Sequence, residues 1–184
     1  MNSMIITISG IAGSGKSTVA VELAKTLGLK HYSIGELMRE MAKKKGMSLL
    51  ELGKLAEKDP AIDKMLDERQ IELGKTKDNF VIDSRLGFHF IPHSVKVFLD
   101  VAVDEAARRI FMQGRQHESY MDIEESLQKI SERIASEDKR YRQYYKIDYH
   151  DKGLYDFVID TTKLQVKQVV GKIVVFLRRS HGNV

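Results

Sequence analysis

Residues 4–17 read MIITISGIAGSGKS, and the part Gly10–Ser17 matches the pattern G-x-x-x-x-G-K-[ST]. The six residues before the pattern are mostly apolar and β-branched, which predicts a buried strand. The residues after it predict a helix over 16–27, because apolar side chains recur on one helical face. These apolar residues are Val19, Ala20, Leu23, Ala24 and Leu27. Strand, glycine-rich loop and helix, in that order, are the context that this pattern requires.

The loop predicts a site for nucleotide phosphates. Glycines let backbone amides curve around phosphate oxygens, and the helix N-terminus adds partial positive charge. Lys16 is expected to reach the β- and γ-phosphates, and the Ser17 hydroxyl to help hold Mg2+. The residues expected to bind the nucleotide are Gly10, Ile11, Ala12, Gly13, Ser14, Gly15, Lys16, Ser17 and Thr18.

Length and composition predict one soluble domain. The chain has 184 residues, of which 42% are hydrophobic and 30% charged, enough for a substantial core. No apolar run has the length of a membrane span and no secretory signal opens the chain, so we expect a cytoplasmic protein. Either Met1 or Met4 could be the native start. The absence of Cys excludes disulfides, thiolate metal sites and cysteine nucleophiles.

The net charge of +4 has two interpretations. One is nucleic-acid binding, and the other is an enzyme whose arginines meet anionic substrates. The sequence contains no long basic run and no Arg/Gly-rich tail, which favours the enzyme. We therefore expect a small-molecule substrate, no nucleic acid and no membrane, and a protein that acts as a monomer.

Strand and helix patterns alternate along the rest of the chain. Four further apolar runs predict strands at 31–33, 80–83, 95–99 and 155–160. Helical patterns lie between them, at 36–45, from the capping box at Ser48, at 60–74, at 104–113, from Asp122 onward and at 166–178. This alternation predicts an α/β fold of the phosphate-loop NTPase class, with a five-stranded parallel sheet covered by helices on both faces.

A phosphate-binding loop alone does not distinguish a kinase from a switch GTPase or a motor ATPase. A GTPase needs D-x-x-G to sense the γ-phosphate and N-K-x-D to read guanine. No Asp is followed three residues later by Gly, and N-K-x-D is missing, so both motifs are absent. A motor ATPase usually needs a larger domain. Arginines spread between the strands suit a small-molecule kinase, because phosphoryl transfer needs cations on both donor and acceptor phosphates.

The sequence resembles the nucleoside monophosphate kinases, and most closely the archaeal-type cytidylate kinases. Beyond the loop, the resemblance rests on residues 33–39, 81–87, 114–115 and 133–141. It implies an adenylate-kinase-like fold with strand order 2-3-1-4-5, an acceptor-binding arm over about 34–75 and a lid over about 113–122. The implied reaction converts ATP and CMP or dCMP into ADP and CDP or dCDP, with Mg2+.

The resemblance also implies roles for individual residues. Lys16, Arg115 and Arg133 would be catalytic, and Asp83 would join Ser17 at the Mg2+. The residues implied in acceptor binding are Ser33, Gly35, Arg39, Asp83, Ser84, Arg85, Arg133 and Arg140. Glu137 lies four residues after Arg133, at the spacing of a helical ion pair that would hold this arginine in place.

One departure from the family pattern concerns the base. In the bacterial pattern D-G-R-D the last Asp reads cytosine, and Leu86 stands at that position here. The sequence therefore leaves base recognition unassigned, with Ser84 and His89 as nearby polar residues. In the bacterial pattern R-D-x-x-D-x-x-R, Ile134 replaces the first acid and Glu137 keeps the second.

Three alternatives stay open at this point. The acceptor could be another nucleoside monophosphate, UMP or AMP, or a small metabolite such as shikimate. The adenylate-type D-G-F-P-R sequence and the glycine-triplet loop of shikimate kinases are both absent. From another class, the chain could be an ATP-binding accessory protein that contacts RNA, which the basic isoelectric point near 9.1 permits.

Overall fold

The computed structural model describes residues 4–113 and 121–181. Its strands form one parallel sheet in the order β2-β3-β1-β4-β5, which confirms the predicted topology. The strands are β1 (Ile5–Ser9), β2 (Lys30–Ser33), β3 (Phe80–Asp83), β4 (Val95–Asp100) and β5 (Phe157–Asp160). The α-helices are α1 (Lys16–Leu27), α2 (Ile34–Lys44), α3 (Leu49–Ala56), α4 (Pro60–Thr76), α5 (Gly87–Phe90), α6 (Val103–Gln113), α7 (Ile123–Tyr145) and α8 (Val166–His181).

Several bounds differ from the sequence prediction by one to three residues, and two of these shifts and one additional helix have local reasons. Helix α2 begins two residues early, because the Ser33 side chain accepts a hydrogen bond from the Glu36 amide and caps it. Strand β5 begins two residues late, since Tyr155 closes a 3-10 turn. The short helix α5 was not predicted, because four residues are too few to establish a helical period.

Helices cover both faces of the sheet, because alternate residues of a strand point to opposite sides. On one face, Ile6 and Ile8 of β1 are fully buried in a cluster with α1 and α8. On the other face, Ile5 and Phe80 pack in a cluster with residues of α2 and α4. The sheet is thus covered on both faces, and its strand ends and edges are left for ligands.

The helices α3 and α4, which follow α2 in the segment between β2 and β3, are bonded to the long helix α7. The Tyr144 hydroxyl donates to the Ala56 carbonyl at 2.9 Å, and the Arg140 guanidinium donates to the Asp63 carboxylate. Two ion pairs also join α3 and its C-cap to α7, Lys54 with Glu132 and Lys139 with Glu57. These contacts fix α7 against both helices that follow α2.

Within residues 4–113 and 121–181, no helix combines the length and the apolar character needed to span a bilayer.

Candidate active site

The loop between β1 and α1 has a backbone that only glycine can supply. Gly10 has φ 139°, and a Cβ built on it would lie 2.4 Å from the Leu99 carbonyl oxygen. Gly13 has φ 80°, and its Cβ would lie 2.5 Å from the Ala106 carbonyl oxygen. Both distances are too short for real atoms, so the chain can pass β4 and α6 this closely only with glycine at these positions.

Helix α1 starts directly after this loop, with Gly15 at its N-cap and no side chain capping its first amides. Uncapped amides at a helix N-terminus attract anions, because they are unsatisfied donors at the positive end of the helix dipole. The loop and the first turn of α1 therefore form an anion-binding surface, as the sequence predicts.

A cleft opens where this loop meets the carboxyl ends of the strands, and we call it the central cleft. Its volume is about 900 Å³, including its open mouth. The loop lines it with Ala12, Gly13, Gly15, Lys16 and Ser17. The other elements contribute Ile34, Gly35, Met38 and Arg39 from α2, Asp63, Leu66, Asp67 and Gln70 from α4, residues 83–86, Ile110 and Gln113 from α6, and Arg133, Glu137 and Tyr141 from α7.

Lys16 is buried among other charges of the cleft. Its Nζ donates to the Ile11 carbonyl at 2.6 Å, and its exposed fraction is 7%. Burial lowers the pKa of Lys16 well below its ordinary value, and the Arg85 guanidinium lowers it further. A phosphate bound in the loop would act in the opposite direction, since a nearby anion favours the charged amine.

Asp83 ends β3 beside the loop and accepts three hydrogen bonds. Its Oδ2 accepts from Ser17 at 2.8 Å and from Ser33 at 3.0 Å, and its Oδ1 lies 2.7 Å from His31 Nε2. Burial would raise the pKa of Asp83, but the hydrogen bonds from His31 and Ser17 outweigh it and lower the pKa. The carboxylate is therefore ionised at neutral pH, next to the hydroxyl of the loop.

Glu137 connects two arginines of the cleft. It accepts from Arg85 Nε at 2.8 Å and Nη2 at 3.1 Å, and from Arg133 Nε at 3.2 Å. Burial alone would raise its pKa, but the guanidiniums of Arg85 and Arg133 lower it to about 2. The i, i+4 contact with Arg133 was expected from the spacing, whereas the bidentate pair with Arg85 was not. Glu137 thus holds two cations at fixed positions on one wall of the cleft.

Arg39 enters the cleft from α2, and its guanidinium lies over the start of the same helix. A Cβ on Gly35 would lie 3.6 Å from Arg39 Nη1. Together with Lys16, Arg85 and Arg133, Arg39 brings the number of cationic side chains lining the described part of the cleft to four. Such a set can neutralise more than one phosphate.

Several residues predicted for the site lie elsewhere. Arg140 does not line the central cleft: it is 1% exposed and paired with Asp63 of α4. Ser33 is also absent from the lining, since its hydroxyl caps α2 and donates to Asp83. His89 is exposed and makes an edge-to-face contact with the Phe90 ring.

Parts of the predicted loop also lie away from the cleft surface. Gly10, Ile11 and Ser14 are buried and do not line the cleft, and Thr18 is exposed outside it. Arg115 and nearly all of the predicted lid, 114–120, lie outside the described residues, and their roles stay predictions.

The sequence interpretation missed the residues that α4 contributes. Asp63, Leu66, Asp67 and Gln70 are spaced i, i+3, i+4 and i+7, which places them on one helical face. Polar residues on such a face usually meet solvent, so the pattern alone did not indicate a site. The signal that could have found them is the mixture of Leu66 with three polar residues on this face. His31 was missed because its contact with Asp83 depends on the register of β2 against β3.

Comparisons with known proteins point to one family. Residues 5–163 match the model of the "Cytidylate kinase-like family". A cytidylate kinase of Natronomonas pharaonis is 42% identical over 163 residues, covering 88% of this chain and 82% of that protein. A cytidylate kinase of Sulfurisphaera tokodaii is 38% identical over 168 residues, covering 90% and 91%.

Among solved structures, a shikimate kinase from Bacteroides thetaiotaomicron has a TM-score of 0.67 at 14% identity, covering 96% of this chain and 99% of that one. An uncharacterised protein from Eubacterium ventriosum has a TM-score of 0.70 at 21% identity, covering 95% and 98%. These two likenesses concern the fold alone. The family match extends over most of the chain and includes every described cationic residue of the cleft, and so this chain belongs to the cytidylate kinase-like family.

Proposed function

We propose that this protein transfers the γ-phosphoryl group of ATP to CMP or dCMP. The observation that carries the proposal is the placement of Arg39, Arg85 and Arg133 in the same cleft as the loop lysine, Lys16. One phosphate-binding surface and three separate guanidiniums suit a reaction that brings two phosphate groups together. The acceptor follows from the relatives, which are cytidylate kinases at about 40% identity.

In the proposed reaction the side chains position and neutralise rather than exchange protons. The acceptor phosphate is already ionised and nucleophilic, so no general base is needed. Lys16 and the first amides of α1 would bind the donor phosphates, while Arg39 and Arg85 would bind the acceptor phosphate. Arg133 would face the group in transfer. Glu137 fixes Arg85 and Arg133 before substrate arrives, and preorganised charge of this kind lowers a barrier most effectively.

The residues beside the loop fit Mg2+. Ser17 supplies a hydroxyl oxygen and Asp83 an ionised carboxylate, 2.8 Å apart, and Mg2+ prefers oxygen ligands with few protein contacts besides substrate phosphates. Bound there, Mg2+ would neutralise charge on the donor phosphates. Ser17 and Asp83 would hold it, with His31 and Ser33 orienting the Asp83 carboxylate.

The test is an ADP-release assay with ATP, Mg2+ and each of the eight common ribo- and deoxyribonucleoside monophosphates. CMP and dCMP should give the highest kcat/KM, with UMP lower and AMP poor. A higher kcat/KM for AMP than for CMP would refute the proposed acceptor, while the protein would still be a nucleoside monophosphate kinase. Salt-dependent RNA binding with no turnover stimulated by any monophosphate would instead support the RNA-associated alternative.

We further propose that the enzyme acts as a monomer in the cytoplasm. Size-exclusion chromatography with light scattering checks the first point, and a mass of about 42 kDa would contradict it, since one chain has a mass of 21.0 kDa. Localisation of a tagged chain checks the second.

A further inference from the structure

The central cleft has two regions of different charge. Around the loop, Lys16, Arg85 and Arg133 outnumber the carboxylates of Glu137 and Asp83, so this region is positive. The α4 side of the cleft presents the carboxylate of Asp67, which is bonded to a tyrosine, and Leu66 and Gln70 of the same helix also line the cleft. A carboxylate repels phosphate, so this region suits the uncharged part of a nucleotide that carries hydrogen-bond donors.

Asp67 is half-buried and oriented by one hydrogen bond. Tyr145 of α7 donates to its Oδ2. A carboxylate has about four acceptor positions, so Asp67 keeps capacity for a ligand. Asp63, one turn earlier on α4, is instead 4% exposed and paired with the buried Arg140. Of these two acids of α4, Asp67 is therefore the better placed to meet a substrate.

Gln70 presents a donor next to this acceptor, and its orientation is set by a chain of hydrogen bonds. The Leu86 amide donates to Ser84 Oγ, so the Ser84 hydroxyl hydrogen is available for Gln70 Oε1. The amide nitrogen of Gln70 then carries two hydrogens, of which one reaches the Leu66 carbonyl at 3.3 Å. The second hydrogen gives the buried Gln70 capacity to donate, three residues after Asp67 on the same face of α4.

This acceptor and donor match the edge of cytosine. Cytosine has an amino group at position 4 and acceptors at N3 and O2, and carboxylates accept from that amino group. Uracil has an oxygen at position 4 and a hydrogen on N3, so it would place acceptor against acceptor and donor against donor. Leu86 cannot supply a polar contact, because it is 3% exposed and packs in an apolar cluster with Phe88.

We propose that Asp67 is the residue that selects cytosine, by accepting a hydrogen bond from its amino group, and that Gln70 donates to the adjacent ring acceptor. The inference rests on the proposed function, since it names how the same cleft chooses its acceptor. Burial raises the pKa of Asp67 to about 6, which leaves the carboxylate mostly ionised, and able to accept, at pH 7.5.

The test compares CMP and UMP as acceptors for Asp67→Asn. Asparagine keeps the size and an oxygen for Tyr145, but its amide can also donate to the O4 of uracil. We expect kcat/KM for CMP to fall about 10- to 100-fold, which is the usual cost of losing a specific base contact. The preference for CMP over UMP should fall at least tenfold, with KM for ATP unchanged.

Glu68→Gln is the matched control, because it removes the same charge from the next residue of α4. Glu68 is 65% exposed and lies 3.9 Å from Lys64, so the CMP preference should stay at the parental value. A second measurement does not depend on how a variant folds. The parent enzyme should use the 4-deamino analogue of CMP about 10- to 100-fold less well than CMP, because the analogue lacks the amino group alone.

The outcomes separate this inference from the proposed function. Equal losses for CMP and UMP in Asp67→Asn would mean that Asp67 only anchors Tyr145, and would overturn the inference. Equal use of CMP and its 4-deamino analogue by the parent would also overturn it. A parent that phosphorylates neither CMP nor dCMP would refute the proposed function itself.

Discussion

Replacing Glu137 with Gln should lower both the free energy of unfolding and kcat, and each effect can be measured by itself. The side chain is 3% exposed and accepts bonds from Arg85, Arg133 and Tyr149. Glutamine has nearly the same size but no charge, so two guanidiniums would lose their common counter-ion. Breaking a buried ion pair in this way costs about 3–5 kcal/mol in the free energy of unfolding.

The pKa of Glu137 sets the pH range in which this pair stabilises the protein. The guanidiniums of Arg85 and Arg133 lower it from its ordinary value of 4.5 to about 2. Because the folded-state pKa is the lower one, this stabilisation is present above pH 4.5 and is lost as the pH falls toward 2.

The kinetic effect should fall on kcat rather than on KM for CMP. The unbalanced guanidiniums of Arg85 and Arg133 still attract a phosphate dianion, and its binding would restore their neutralisation. The same guanidiniums lose their fixed positions, and we expect kcat to fall about 10²-fold, as when one charge-stabilising group is lost. CMP should also raise the melting temperature of Glu137→Gln more than that of the parent.

The assay is steady-state kinetics with CMP varied, together with urea denaturation of both proteins. Glu132→Gln is the matched control on the same helix, because Glu132 is 35% exposed and its pair with Lys54 is worth about 0–1 kcal/mol. A parental kcat in Glu137→Gln, or a raised KM with kcat unchanged, would refute the idea that Glu137 preorganises the two arginines.

Three further changes test the rest of the site. Lys16→Ala should lower kcat on the order of 10²-fold with an unchanged circular dichroism spectrum, and turnover within tenfold of the parent would exclude the assigned role. Arg39→Ala should raise KM for CMP about tenfold or more, which is the cost of a charge-assisted hydrogen bond, while ATP binding measured by calorimetry stays the same. Arg39→Lys should recover part of the loss. A parental KM in Arg39→Ala would show that Arg39 does not bind the acceptor phosphate. Gly13→Ala should lower the free energy of unfolding about 1–3 kcal/mol more than Gly15→Ala does. The reason is that a Cβ on Gly13 meets the Ala106 carbonyl, whereas one on Gly15 meets nothing within 4 Å. Equal values for the two variants in urea denaturation would contradict this packing argument.

The sequence predicted those features whose signals are local. The loop, the flanking strand and α1 follow from residues within 25 positions of one another, and the Arg133–Glu137 pair follows from helical spacing. The order of the strands came from the family resemblance, because pairing between distant strands has no local signature.

The features that the sequence did not predict depend on distant contacts. Arg85 and Glu137 are 52 residues apart in the chain, and only the packing of α7 beside the end of β3 brings them together. Arg140 shares a helical period with Arg133, yet it points to Asp63 rather than to the cleft. Asp67 and Gln70 have the pattern of a solvated helix face, and only the position of α4 turns that face toward the central cleft.

The bonds that join α7 to α3 and α4 have a consequence for how this molecule opens. Tyr144, Tyr145 and Arg140 connect α7 to α3 and α4. Neither α3 nor α4 can therefore separate from α7 without breaking hydrogen bonds that are buried or half-buried. In native-state hydrogen exchange, the amides of α3, α4 and α7 should therefore exchange together as one cooperative unit. Denaturant should expose them with a single free energy and a single slope, separate from that of the edge strand β2.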